Sequence, residues 1–143
     1  MNNRGGINGT VLRKGGFTYE DNLKETLAKL GPLKRGTCIP VKAAGSLPCK
    51  WILNTNSPGQ NDPEGLKNCY RSVLEQMVEL KLESVLFCCI GTGGKGFYND
   101  AAAQIAIQEV GTFLKNHLDL KVPIIRTGFI FYRVIYRVIE YKL

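Results

Sequence analysis

Residues 84–103, SVLFCCIGTGGKGFYNDAAA, constrain the fold of this 143-residue chain more than any other stretch. An apolar run from Val85 to Ile90 has the length of a buried strand and breaks directly into Gly91, Gly93, Gly94 and Gly96. Ala102, Ile105 and Ala106 then recur at helical spacing. Strand, glycine loop and helix together present backbone N–H groups and a helix N-terminus to a phosphate. Glycine lets a ligand approach the backbone with no Cβ in the way. A tight strand-to-helix connection would also use glycine, but four glycines within Gly91–Gly96 exceed what a turn needs.

Two familiar phosphate loops can be tested against this stretch. A P-loop needs a glycine five positions before the Gly-Lys pair and a hydroxyl after the lysine. Those positions hold Cys89 and Gly96, so that loop fails. Gly91-x-Gly93-x-x-Gly96 is a literal dinucleotide fingerprint, which also demands an acid at the end of the next strand. The next strand-like run, Val122–Phe131, contains neither Asp nor Glu, which ranks a dinucleotide dehydrogenase low.

A second glycine cluster decides between the remaining readings. Arg4–Gly16, RGGINGTVLRKGG, resembles the first ligand loop of the macro domain family, with Gly5, Gly6, Ile7, Gly9, Val11, Gly15 and Gly16 in register. Leu47–Leu53 resembles that family's LPAKYVIH strand, and Asn56-Ser57-Pro58 the turn after it. Leu66–Leu74 is similar to its L-x-x-C-Y-x-x-x-L helix, and Phe87–Phe97 to its second ligand loop. Both loops stand in the family's order and spacing. Local features are most similar to the macro domains of histone variants and of ganglioside-induced differentiation-associated proteins.

The resemblance implies a module that binds ADP-ribose, free or attached to protein, in some branches hydrolysing the attachment. Carried over by position, Gly5, Gly6, Ile7, Asn8 and Gly9 would line the distal ribose and one phosphate. Gly91, Thr92, Gly93, Gly94, Lys95 and Gly96 would cradle the pyrophosphate through backbone N–H groups, with Phe97 against the sugar or adenine side. The hydrolase branch has aspartate and histidine where this chain has Asn8 and Leu12, and neither replacement supplies a titrating group. Lys95 stands where hydrolases place an aromatic against the distal ribose. These departures favour a reader over an eraser, with no catalytic residue and no cofactor expected. The family's opening strands, with their adenine-recognising acid, have no counterpart before Asn2-Asn3, so a macro domain incomplete at its N-terminus is expected.

Composition sets bounds on these readings. One domain over residues 1–143 suits the length. No apolar stretch is long enough for a membrane span, and MNNRGGINGT lacks the apolar segment of a signal peptide. Cys38, Cys49, Cys69, Cys88 and Cys89 are odd in number, so buried free thiols in a nuclear or cytoplasmic protein are expected rather than disulfides. With His117 the single histidine and no C-x-x-C pair, no zinc site is expected. His117 falls near a helix end, where capping suits it better than catalysis. The net charge of +7 is concentrated before Asn61, with nine Lys/Arg against three acids. Such a half invites an anionic partner, though a solvated basic face accounts for it equally well.

The pattern along the chain alternates. Helices are expected over Ile7–Lys14 and Tyr19–Leu30, the latter with Leu23, Leu27 and Leu30 in phase and Gly31-Pro32 stopping it. Strands are expected over Thr37–Ala43 and Lys50–Asn54 around a Gly45-Ser46 turn. Asp62–Leu82 is the longest helix, with Leu66, Cys69, Tyr70, Val73 and Met77 inward and Asp62-Pro63-Glu64 as its start. A strand over Glu83–Ile90, a helix over Asn99–Leu118 and a strand over Val122–Phe131 follow, while Tyr132–Leu143 fits helix or strand. Alternation indicates an α/β fold, and the resemblance implies a three-layer α/β/α sandwich with a mixed central sheet. Three functions stand: an ADP-ribose reader, an ADP-ribosyl hydrolase or O-acetyl-ADP-ribose deacetylase, and a degenerate module binding RNA or poly(A).

Overall fold

The computed structural model describes residues 6–117. Its elements are α1 (Gly6–Leu30), β1 (Cys38–Lys42), β2 (Trp51–Thr55), α2 (Pro63–Glu79) and α3 (Asn99–Asn116). The expected Val122–Phe131 strand and the 132–143 segment lie outside the described residues.

The two short helices expected at the start form one run that breaks at Gly16, whose φ of 61° and ψ of −163° are not helical. Only glycine adopts that combination without strain. The carbonyl of Lys14, at the end of the first segment, accepts from Ser46 N at 2.8 Å and from Ser46 Oγ at 3.2 Å. The turn between the strands therefore satisfies an acceptor that the helix break leaves without its intrahelical partner. Leu23 and Leu27 pack inward as expected, while Leu30, at the fraying last turn, is exposed. Gly31 N closes that turn on Leu27 O at 2.9 Å.

β1 and β2 pair antiparallel, from Cys38 opposite Thr55 to Lys42 opposite Trp51, within a residue of the expected bounds. Their alternation separates two cores. Ile39, Val41 and Ile52 pack with Tyr19, Leu12, Leu23 and Leu27 of α1. Cys38 and Leu53 pack on the opposite side, against the cluster of Leu66, Tyr70, Val73, Ala102 and Ala106 from α2 and α3. Helix, sheet, helix is the layering of an α/β/α sandwich. Tyr19 Oη, donating to Asn54 Oδ1 at 3.2 Å, and Asn22 Nδ2, donating to Lys42 O at 3.1 Å, tie α1 to the strands.

α2 starts as its sequence dictates, with Asp62 Oδ1 accepting from Gly65 N at 2.8 Å and Pro63 in the first turn. The inward residues read from periodicity are all buried, each large side chain contributing about 1.5–3 kcal/mol by leaving water. The helix ends at Glu79, before the expected Leu82, because the chain turns at Lys81 with a φ of 51°. Residues 83–90 need correcting too: they form no continuous strand. A strand requires a paired neighbour as well as an apolar run, and among the described residues β1 and β2 pair only with each other. Phe87 and Ile90 nevertheless enter the α2–α3 core, so the segment still delivers the glycine loop from a fixed base. α3 starts at the expected Asn99 and ends at Asn116, two residues before the expected Leu118; His117 caps it, its Nδ1 donating to Phe113 O at 2.9 Å while its ring stacks on Phe113.

Candidate functional site

The second glycine loop closes on itself. Phe97 N donates to Gly91 O at 3.1 Å, Gly96 N to Gly93 O at 3.0 Å, and Thr92 Oγ1 to Cys89 O at 3.0 Å. Gly91 is glycine for two structural reasons. Its φ is +83°, and a Cβ there would lie 2.7 Å from Phe97 Cδ2 and 3.0 Å from Ser57 Oγ. Gly93 and Gly94 have neither reason: φ is not in the left-handed region, and a Cβ would meet open space. The N–H groups of Gly93, Gly94 and Lys95 at the exposed tip make no backbone hydrogen bond among the described residues. The tip is thus exposed, bare of side chain at two positions, and carries three N–H groups outside the loop's own backbone bonding.

Two residues of the expected set, Phe97 and Gly96, serve the loop's own structure. Phe97, read as a ring against sugar or adenine, is 6% exposed and sits in the core beneath the loop. It fills the space that the missing Gly91 side chain leaves. Gly96 N and Phe97 N are spent in closing the loop, so the donors cluster at its tip.

Gly6, Ile7, Asn8 and Gly9 form the first turn of α1, where helix N–H groups lack intrahelical acceptors. No acid occupies that turn, Ile7 is 58% exposed and Asn8 is exposed, while Gly9 is buried. Gly5 lies outside the described residues. Leu12, where the hydrolase pattern has histidine, packs against the Tyr19–Ile39–Val41 cluster.

A cleft of about 430 Å³ opens between Gly94–Gly96 of the loop and residues Gly59–Asp62 after β2, with Arg35 also lining it. It draws in three of the expected residues and none of Gly6–Gly9. Sequence reasoning missed Arg35, Gln60 and Asn61. The polar, turn-forming run Gly59-Gln60-Asn61-Asp62 directly after a strand is the signal that could have flagged two of them.

Three of the thiols, Cys38, Cys69 and Cys88, are poor nucleophiles. Burial, with the Cys69 thiol beside it, pushes Cys38 up to about 12, and burial raises Cys69 and Cys88 as well. Tyr70 is raised chiefly by burial against the 88–90 backbone. No group of three or more His, Cys, Asp or Glu among the described residues is placed to hold a metal.

The Macro domain family profile matches residues 1–106. The chain belongs to the macro domain family. This macro domain is 30% identical over 118 residues to an O-acetyl-ADP-ribose deacetylase of Citrobacter koseri, covering 79% of this chain and 66% of that protein. It is 31% identical to the ADP-ribose glycohydrolase MACROD1 of Mus musculus, covering 80% of this chain and 36% of the relative. The chain thus spans from about a third to just under two thirds of these relatives' lengths. Among solved structures, the Trypanosoma brucei macrodomain in complex with ADP-ribose superposes with a TM-score of 0.74 at 31% identity, covering 84% of this macro domain and 49% of that chain.

Proposed function

We propose that this macro domain is a reader of ADP-ribose, free or protein-linked, with the Gly91–Gly96 segment as its phosphate-binding loop. The observation that carries the reading is the exposed loop tip, where Gly93 and Gly94 are glycines without a steric need and three N–H groups make no backbone hydrogen bond among the described residues. A hydrogen bond from N–H to a charged phosphate oxygen contributes about 1.5–3 kcal/mol. A few of them account for most of the ~8 kcal/mol of a micromolar ligand. The ADP-ribose bound to the Trypanosoma brucei relative supports the ligand's identity. Five free cysteines accord with action in the nucleus or cytoplasm.

A second reading, ADP-ribosyl hydrolase or O-acetyl-ADP-ribose deacetylase, draws on the names of the two relatives. Asn8 and the packed Leu12 weigh against it, since neither moves a proton. RNA or poly(A) is the third candidate partner, resting on charge alone. Calorimetry with ADP-ribose, AMP and poly(A) at two salt concentrations separates these. A single pyrophosphate gives a shallow salt slope and a polyanion a steep one. Failure of ADP-ribose to bind at millimolar concentration would overturn the reader assignment.

A further inference from the structure

The cleft beside the loop carries charge that the phosphate cradle does not use. Arg35 and Lys95 both line it, and neither has an ion pair among the described residues. By contrast Lys24, Lys29, Lys67 and Arg71 are each paired with an acid. The one acid among the described lining residues, Asp62, is engaged elsewhere as well. Its Oδ1 accepts from Gly65 N at 2.8 Å, and its Oδ2 packs where a Cβ on Gly65 would stand, so the carboxylate caps the first turn of α2. The described lining is therefore two unpaired cations, one capping carboxylate, two amide side chains and three glycines.

We infer that this cleft is a subsite for acidic polypeptide, taking a carboxylate-bearing stretch next to an ADP-ribosylated residue. The proposal rests on the ADP-ribose reading above. Extent argues for more than an isolated anion: the open cleft of about 430 Å³ is lined by eight described residues from three separate segments of the chain. Chemistry argues for peptide. Gln60 and Asn61 offer both donors and acceptors, as a peptide backbone requires, and the Arg35 guanidinium forms a two-pronged pair with a carboxylate. A nucleic-acid strand would call for an aromatic platform, and no aromatic side chain among the described residues lines the cleft. Proximity to the cradle is built in. Gly94, Lys95 and Gly96 belong to both, and Gln60 Oε1 lies 3.3 Å from where a Cβ on Gly96 would be.

The test uses the full chain and calorimetry at two salt concentrations, with three ligands: ADP-ribose, an ADP-ribosylated peptide flanked by glutamates, and the same peptide flanked by glutamines. The glutamate peptide is expected to bind roughly threefold to tenfold tighter than the glutamine peptide, the range of one or two partly solvated charge pairs. Arg35→Gln should erase that difference while leaving the affinity for ADP-ribose alone within about twofold, since the exposed Arg35 side chain is no part of the cradle. Arg35→Glu should reverse the preference towards a lysine-flanked peptide. Normal ADP-ribose binding with equal affinity for both peptides overturns this proposal and spares the reader assignment. No binding of ADP-ribose overturns both. Displacement of the glutamate peptide by poly(A), lost in Arg35→Gln, would make the cleft a nucleic-acid site and overturn the peptide assignment.

Discussion

Arg71 and Glu109 meet through two hydrogen bonds across the α2–α3 interface, Nε donating to Oε2 at 2.6 Å and Nη2 to Oε1 at 3.0 Å. The carboxylate side chain is 8% exposed and the arginine 46%, so the pair is lopsided, one charge in the core and the other at its edge. Arg71 Nη1 also donates to Glu64 Oε1 at 2.8 Å, which holds the guanidinium over the carboxylate it neutralises.

Lopsidedness predicts unequal costs. Arg71→Met leaves a buried carboxylate without its donor and should destabilise the fold by about 1–3 kcal/mol. Glu109→Gln keeps a neutral acceptor opposite an arginine that water can reach, and should cost about 1 kcal/mol or less. Urea unfolding midpoints measure both. Equal losses would mean that Glu109 is as well solvated as its partner.

The loop glycines should divide into two classes. Gly93→Glu puts a carboxylate at the tip, where a Cβ meets open space, so the fold should survive while ADP-ribose binding is lost through like-charge repulsion. Gly91→Ala forces a Cβ against Phe97 at a φ of +83° and should cost about 1–3 kcal/mol of stability. Thermal unfolding and calorimetry on both variants read the contrast. A stable Gly91→Ala would show that Phe97 can yield.

Alkaline pH should weaken the fold. The Cys38 thiol is pushed up to about 12 in the folded chain and ionises near 8.5 when unfolded. A raised folded value contributes stability that is intact below about 8.5 and is lost as pH rises from there towards the folded value, because only the unfolded chain gives up its proton in that window. Cys69, Cys88 and Tyr70 are shifted in the same direction and steepen the loss. Urea midpoints between pH 7 and 10 should fall, and less steeply in Cys38→Val. A flat profile would place the Cys38 thiol in water. In the native protein Cys49, the exposed thiol, should alkylate before the buried Cys69.

Asn8→Asp restores a carboxylate in the first turn of α1 without restoring the imidazole, since Leu12 is committed to packing. Release of ADP-ribose from a modified peptide should stay within about tenfold of background for both the unaltered chain and this variant. Turnover well above that in the unaltered chain would favour the hydrolase reading.

Local chemistry was legible in the sequence. The Asp62-Pro63-Glu64 start of α2 and the β1–β2 hairpin were readable because the residues that determine them are neighbours in the chain. The segment before Gly91, expected as a strand, carries a single bridge residue, Val85, among the described residues, because its apolar run records burial while strand status depends on pairing with another segment. Phe97 stands among loop residues in sequence, and only the three-dimensional closure onto Gly91 turns its ring inward. Arg35 and Gln60 meet Lys95 across the cleft from distant parts of the chain, so no spacing rule joins them. Arg71 and Glu109 likewise sit 38 positions apart.

The break at Gly16 divides α1 mechanically as well as geometrically. Its first segment is clasped at Lys14 O by the backbone of Ser46, and the neighbouring Gly45 sits so close that a Cβ there would run into the same carbonyl. The segment bearing Asn8 is therefore anchored to the strand hairpin as well as to the Tyr19 cluster through Leu12, while residues 17–30 grip the sheet through Tyr19 and Asn22. Load at the head of α1 is shared between the 44–47 hairpin tip and that cluster. The amide proton of Ser46 is thus a natural gauge of that load: a ligand that stiffens the Gly6–Gly9 turn should slow its exchange with solvent, even though Ser46 touches no ligand.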